Sequence, residues 1–149
     1  MFAEIAAESD DPATQTVCVL TSADGMVLSI GVNRLTAPCD DDGRADRCVA
    51  PCKADWMAHA EQVAIGTAAR RGCQLDGATA YLNWHPCASC ARLLVLAGVA
   101  RVFVDADRTA DRWDDPRYGF RVASQLLHEG GVVVRLHVNG VADPRAVPC

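Results

Sequence analysis

Hydrophobic and polar residues follow one another in patterns that predict strands and helices along most of the chain. Runs rich in β-branched and apolar residues predict five strands, at Thr16–Leu20, Met26–Val32, Ala78–Trp84, Arg101–Ala106 and Val132–Val138. Apolar residues at helical spacing predict helices at residues 1–8, Ala54–Arg71, Cys87–Gly98 and Pro116–Glu129. Asp24-Gly25 between the first two strands is typical of a hairpin turn.

The order of these elements predicts the fold class. The hairpin comes first, and the three later strands alternate with helices, so those three should run parallel under right-handed crossovers. The pattern therefore predicts an α/β protein with a five-stranded mixed sheet and helices on both faces. We expect one domain over residues 1–149, in which residues 139–149 form a loose tail. Asn33–Lys53 and Asp107–Asp115 are predicted loops.

Composition and charge exclude several classes of protein. Half of the residues are hydrophobic, and the net charge of −5 argues against a broad nucleic-acid-binding face. No apolar run approaches the length that spans a membrane, and the first five residues lack the basic start of a signal peptide. We therefore expect a cytoplasmic protein without membrane contact, whose eight cysteines are reduced, metal-bound or buried.

Two short motifs carry the candidate chemistry, H-x-E from His59 to Glu61 and P-C-x-x-C with Cys87 and Cys90. One imidazole and two thiolates suit Zn²⁺, and three protein ligands leave a fourth position open for water, as in catalytic zinc sites. Glu61 is near enough to exchange protons with that water without binding the metal. Both motifs fall at predicted helix starts, where free backbone N–H groups favour thiolate.

Other interpretations of the cysteines remain open. A lone Cys-x-x-Cys also occurs in redox pairs and as half of a structural zinc ribbon, but a ribbon needs a second such pair, which this sequence lacks. Cys39, Cys48 and Cys52 could hold a second, structural zinc if a fourth ligand joined them. Alternatively, they are separate thiols in a loop on the substrate side.

Four segments make the chain resemble the cytidine and deoxycytidylate deaminase superfamily, closest to the deoxycytidylate (dCMP) deaminase branch. His59–Ile65 is similar to the motif His-Ala-Glu-x-Asn-Ala-Ile, and Gly31–Asn33 is similar to the Gly-x-Asn substrate loop. Ser9–Pro12 resembles the Ser-x-Asp-Pro turn, and Asp115–Gly119 resembles a segment of bacterial members. The resemblance covers almost the whole chain.

The resemblance implies a three-layer α/β/α fold and one catalytic zinc per chain, held by His59, Cys87 and Cys90. It implies hydrolytic loss of ammonia from a cytosine-type nucleotide, with dCMP as the first candidate and Glu61 as the catalytic acid and base. Members usually assemble through the second motif helix, so we expect a homo-oligomer.

The resemblance also implies contacts with the substrate. Asn33 would hydrogen-bond the nucleotide or, on the alternative interpretation, cap a turn. The backbone N–H of Ala60 would bind the pyrimidine carbonyl. Trp84 and Tyr118 would wall the base or ribose, or else belong to the core. The phosphate has three unranked candidates, Arg34, Lys53 and Arg117.

This sequence departs from the family pattern in three places. Val63 stands where Asn is usual, His85 stands where Phe or Glu is commoner, and no glycine follows Asn33. The metal ligands are unaffected, but other substrates remain open, namely a nucleoside, a free base or a guanine- or adenine-type compound. A polynucleotide deaminase and a zinc module without activity are the remaining alternatives.

Overall fold

The computed structural model of the protein describes residues 2–36, 46–138 and 141–143. The strands are β1 Val17–Thr21, β2 Val27–Val32, β3 Arg34–Leu35, β4 Met57–Ala58, β5 Thr79–Leu82, β6 Arg101–Asp105, β7 Val133–Val138 and β8 Val141–Asp143. The α-helices are α1 Phe2–Ala6, α2 Lys53–Trp56, α3 Ala60–Arg70, α4 Ala88–Leu96, α5 Ala106–Thr109 and α6 Phe120–Glu129. A 3₁₀ helix at Ala110–Arg112 follows α5.

The main sheet has the strand order β2-β1-β5-β6-β7-β8. β1 pairs antiparallel with β2 and with β5, whereas β5, β6 and β7 run parallel. The predicted five-stranded mixed sheet is therefore confirmed, and β8 extends it as a short sixth strand antiparallel to β7. The predicted tail contains β8 at Val141–Asp143, whose backbone pairs with β7. The rest of that tail lies outside the described residues.

Helices cover both faces of the sheet, as predicted. On one face the three longest helices bury apolar residues such as Ala64, Leu94 and Leu127, which pack in one cluster with inward residues of β1 and β6. On the other face α1 packs against a smaller cluster that contains Val17 and Val19. Alternate residues of β1 thus serve opposite layers, as strand geometry requires. In the described part of the chain no helix is long and apolar enough to cross a membrane.

The predicted helix at Ala54–Arg71 is wrong in its first part. The chain forms α2, turns extended at Met57 and Ala58, and only then begins α3. The extended pair forms β4 because it pairs with β3, with Leu35 opposite Met57. β3 lies in the predicted Asn33–Lys53 loop, so β4 depends on a contact with a distant segment that local helical periodicity does not record. As a result, His59 becomes the N-cap of α3.

Two further boundaries differ from prediction in the segment between β6 and α6. The predicted loop at Asp107–Asp115 contains most of α5 and the 3₁₀ helix. The predicted helix at Pro116 begins at Phe120 instead, directly after Gly119, whose φ of 60° is left-handed. A left-handed residue cannot continue an α-helix, and glycine adopts that conformation without a steric penalty.

Candidate active site

Three candidate metal ligands converge where two helices begin. His59 is the N-cap of α3, Cys87 is the N-cap of α4, and Cys90 lies in the first turn of α4. His59 Nδ1 lies 3.4 Å from the Sγ atom of Cys87 and 3.4 Å from that of Cys90. Among the described residues, this is the group of three or more His, Cys, Asp or Glu side chains whose ligand atoms come close enough to share an ion.

The spacing of these atoms fits a zinc ion. Tetrahedral zinc with bonds of about 2.0–2.1 Å to nitrogen and about 2.3 Å to sulfur holds those two ligand atoms about 3.6 Å apart. The observed nitrogen–sulfur separations of 3.4 Å are close to this value. Nitrogen and thiolate sulfur are also the donor types that zinc prefers. The ligand set predicted from the sequence is therefore one that could hold zinc.

The two thiol groups of Cys87 and Cys90 differ in acidity. A hydrogen bond from Cys90, opposed by burial and aided by His59, lowers the pKa of Cys87 to about 4. The same hydrogen bond and burial raise the pKa of Cys90. The hydrogen bond with Cys87 raises the pKa of His59 against the effect of burial. A lowered thiol pKa favours the thiolate form that binds a metal ion.

Glu61 is a buried carboxylate beside these ligands. It lies in the first turn of α3 and is only 8% exposed. Burial is the main cause that raises its pKa, and the neighbouring His59 opposes the shift. A carboxyl group whose pKa is raised toward neutrality can both accept and donate a proton, as a catalytic acid and base must.

A cavity of about 350 Å³ connects the candidate residues. Glu61 lines it together with two of the candidate ligands, His59 and Cys87. The four predicted substrate contacts line the same cavity, namely Asn33, Ala60, Trp84 and Tyr118. The structure therefore brings these residues to one place, although they come from widely separated parts of the sequence. Cys90 lies fully buried behind the lining.

The Asn33 side chain is held by several protein groups. Its Oδ1 accepts hydrogen bonds from the Ser9 hydroxyl at 2.7 Å and from the Thr16 backbone at 2.8 Å. Its Nδ2 donates to the Thr14 carbonyl at 2.8 Å and lies 3.5 Å from Asp11 Oδ2. Asn33 thus braces the segment before β1 while lining the cavity. Its predicted contact with the substrate stays a prediction.

Aromatic rings form one wall of the cavity. The Trp84 and Tyr118 rings lie 6.3 Å apart, and Tyr118 stacks on Phe120 at 5.1 Å. The Arg112 guanidinium lies 4.9 Å from the centre of the Trp84 ring and donates a hydrogen bond to the Tyr118 hydroxyl. The Tyr118 carbonyl accepts the N–H of Ala88 at 3.0 Å, so this wall is tied to the start of α4.

Sequence reasoning missed three buried polar residues of the lining. Asp11 accepts N–H groups of the turn after it. Asn83 Oδ1 accepts the N–H of Val17 at 2.8 Å and so joins β5 to β1. The His85 ring bonds Pro86 O through Nδ1 at 2.9 Å and meets Ser124 Oγ through Nε2 at 3.1 Å. The sequence marks Asp11 only as part of the Ser-x-Asp-Pro turn and His85 only as a departure from the family pattern.

The described residues do not test the predicted second zinc site. Cys39 lies outside the described residues, Cys48 is buried and Cys52 is exposed. The possible structural zinc therefore stays a prediction.

Comparison with known proteins gives a consistent result. The family model for the cytidine and deoxycytidylate deaminase zinc-binding region matches residues 1–106. A Caenorhabditis elegans protein named "Probable deoxycytidylate deaminase" is 34% identical over 121 residues, which are 80% of this chain and 57% of that protein. A Drosophila melanogaster protein of the same name is 28% identical over 142 residues, 89% of this chain and 66% of that protein. The chain thus spans about two thirds, or less, of these relatives' length.

The fold is also similar to a solved structure. The dCMP deaminase from cyanophage S-TIM5 in its apo form superposes with a TM-score of 0.66 and 21% identity, covering 91% of this chain and 90% of that chain. The same phage enzyme was solved in complex with dCMP and dUMP. At this identity the likeness establishes a common fold.

Proposed function

Since the chain belongs to the cytidine and deoxycytidylate deaminase family, we propose that it removes the amino group of a cytosine nucleotide by hydrolysis. The first candidate for the substrate is dCMP. The products would be the uracil nucleotide and ammonia. One observation carries the proposal: the buried Glu61 lies beside a zinc-type ligand set in a cavity large enough for a small molecule.

The ligand set supports zinc as the cofactor. His59, Cys87 and Cys90 would hold the ion, as the close approach of their ligand atoms suggests. Zinc bound there supplies a Lewis acid that makes water nucleophilic near neutral pH. Three protein ligands are also the number typical of catalytic rather than structural sites.

Glu61 would carry out the proton transfers. It accepts a proton from the water that attacks C4 of the base and delivers a proton to ring N3. It would then take the remaining proton from the hydroxyl group now on C4 and deliver it to the amino group, which leaves as ammonia when its bond to C4 breaks and the C4 carbonyl forms. Burial supports this role, because a raised pKa lets the same carboxyl group accept and return protons.

The remaining lining residues would orient the base. The N–H of Ala60 is in the first turn of α3, where backbone donors lack helical partners, so it is available to the pyrimidine carbonyl. Trp84 and Tyr118 would wall the base or ribose, and Asn33 would hydrogen-bond the nucleotide.

Three observations favour a cytosine mononucleotide as the substrate. The curated relatives above carry the name deoxycytidylate deaminase. The cavity of about 350 Å³ is in the range of small-ligand sites. The net charge of −5 disfavours a polynucleotide.

Ammonia release from a panel of cytosine, adenine and guanine nucleosides and nucleotides tests the proposal. If the phosphate is recognised, kcat/KM should favour dCMP over deoxycytidine by about 2 kcal/mol or more, roughly 30-fold. Equal values would exclude recognition of the phosphate. Activity on purines alone would overturn the substrate but not the zinc chemistry. Zinc binding without ammonia release from any compound would indicate a module that has lost the reaction.

A further inference from the structure

Two cationic side chains are among the lining residues of the cavity, Lys53 and Arg117. Arg34, the third candidate from the sequence, is exposed on β3 and is not among the lining residues. We propose that Lys53, held in place by Asp11, binds the 5′-phosphate of the substrate, an inference that rests on the proposed function. The proposal gives the cavity a site for a phosphate monoester.

Lys53 keeps N–H donors available for a ligand while it is paired with Asp11. Lys53 Nζ donates a hydrogen bond to Asp11 Oδ2 at 2.9 Å. The Lys53 side chain is 30% exposed, whereas that of Asp11 is 5% exposed. An ammonium group carries three N–H donors. In the residues that the structure describes, its hydrogen-bond partner is Asp11, so two donors remain for a ligand in the cavity.

The negative charge of the Asp11 carboxylate is compensated by its hydrogen-bond donors. Oδ1 accepts backbone N–H groups of Ala13 and Thr14 at 2.9 and 3.1 Å, and Oδ2 accepts Lys53 and faces Asn33 Nδ2 at 3.5 Å. Four donors around one buried carboxylate offset the repulsion that it would exert on a phosphate. The ion pair also restricts the flexible lysine before binding, which reduces the entropy lost when the ligand binds.

The Lys53 ammonium group lies next to Asn33, the predicted nucleotide contact. Lys53 Nζ and Asn33 Nδ2 approach the same oxygen, Asp11 Oδ2, so the two donor groups are neighbours. A nucleotide whose base lies beside Glu61 and whose sugar meets Asn33 would then carry its phosphate within reach of Lys53. This order of contacts follows the order of groups in a nucleoside monophosphate.

Arg117 fits the phosphate less well because its guanidinium is already engaged. Its Nε and Nη2 donate to Asp115 at 3.0 and 2.6 Å, which uses the two-pronged edge that would otherwise grip a phosphate. Its side chain is also 74% exposed. Of the two lining cations, Lys53 is therefore the one with free donors in a partly buried position.

The test compares Lys53→Met with Arg117→Gln and with Arg34→Gln as the control outside the cavity. Loss of one charge-assisted contact should lower kcat/KM for dCMP about 10- to 150-fold in Lys53→Met. Its kcat/KM for deoxycytidine should change less than about threefold, since that substrate has no phosphate. Lys53→Arg, which keeps the charge, should retain most of the preference for dCMP.

Several outcomes would overturn the proposal. An equal loss on dCMP and deoxycytidine in both Lys53→Met and Lys53→Arg would show that Lys53 only braces the fold through Asp11. A loss of the dCMP preference in Arg117→Gln, with Lys53→Met unaffected, would assign the phosphate to Arg117.

Binding of inorganic phosphate separates this proposal from the proposed reaction. Calorimetric titration of the folded, zinc-loaded protein with phosphate should detect binding that Lys53→Met loses and Arg117→Gln keeps. If neither cytosine substrate releases ammonia but this pattern holds, the proposed reaction fails and the anion site stands. If the wild-type protein binds no phosphate, or Lys53→Met binds it equally well, the proposal is wrong.

Discussion

Glu61 is the single side chain on which turnover should depend most. It is 8% exposed and belongs to the first turn of α3, two positions after His59, a candidate metal ligand. A purely structural metal site has no need of a buried carboxylate. Burial of a carboxylate lowers the stability of the fold, so its presence here indicates a function. The position of Glu61 thus argues for a catalytic centre at the scale of one residue.

Glu61→Gln should keep the fold and bound zinc but lose turnover. Glutamine preserves the shape of the side chain and cannot shuttle a proton, and loss of an acid–base group costs about 10²- to 10⁴-fold in rate. Because one carboxyl serves several transfers here, the loss should reach at least the upper part of that range. Ammonia release and elemental zinc analysis measure both effects, with the exposed Glu8→Gln as control. A variant that keeps more than about a tenth of the rate would remove Glu61 from this role.

The Asp115–Arg117 pair should determine the titration of Asp115. Hydrogen bonds from Arg117 lower the pKa of Asp115 to about 2. A carboxyl with a lowered folded-state pKa contributes stability above its ordinary pKa, and that contribution is lost as the pH falls through about 2. Arg117→Gln should therefore raise the midpoint of Asp115 in an NMR titration toward its ordinary value. An unchanged midpoint would mean that the ion pair is not formed in solution.

At the scale of elements, the close approach of β2 fixes the position of α3. The Ser29 hydroxyl donates to the Ala64 carbonyl at 2.9 Å in a fully buried contact. Two residues further along the same face of β2, a Cβ on Gly31 would lie 2.3 Å from Ala60 O and 2.4 Å from Ala64 N. Only glycine allows this approach, which carries His59 and Glu61 into the cavity.

Gly31→Ala should therefore disturb the site more than an ordinary change in the core. The clash is with backbone atoms, which cannot rotate away, so α3 has to move, at a cost of about 1–3 kcal/mol or more. Zinc content and melting temperature should both fall. Gly66→Ala in the same helix is the matched control, because a Cβ there meets nothing within 4 Å and alanine favours helix by up to about 1 kcal/mol. Equal behaviour of the two variants would contradict this account.

The elements that could be predicted from the sequence are those specified by local signals. The Asp-Gly hairpin, the parallel strands and the helices after His59 and Cys87 all follow from periodicity, turns and caps within one segment. β4 could not be predicted, because Met57 becomes extended only through its pairing with Leu35. The ion pair of Asp11 could not be predicted either, since its partner Lys53 is forty-two positions away in the sequence.

At the scale of the whole molecule, the cavity exists only when the sheet is assembled. The segment before β1 supplies Asp11, and the position directly after β2 supplies Asn33. Glu61 comes from α3, and Trp84 and Cys87 come from the turn after β5. Asn83 joins two of these parts by accepting the N–H of Val17, the first residue of β1. Metal binding and substrate binding should therefore both be coupled to folding of the entire domain.

The surface of α4 and α6 bears on the predicted homo-oligomer. The apolar run Leu93–Leu96 in α4 is only partly used inside the domain, because Leu94 is fully buried whereas Leu96 is 83% exposed. Val122 on α6, the helix that packs beside α4, is 52% exposed. Another exposed apolar residue is Met26, which lies in the turn between β1 and β2 and is 65% exposed.

We expect a dimer or larger assembly that uses the α4 surface, because association would remove exposed Leu96 from water. Light scattering at micromolar concentration should give at least twice the chain mass of 15.9 kDa. Leu96→Glu should shift the mass toward the monomer, since a carboxylate buried in an apolar contact is unfavourable. Met26→Glu is the matched control and should leave the assembly intact. A wild-type mass near 15.9 kDa would contradict the prediction, and dissociation by Met26→Glu alone would move the interface to the hairpin.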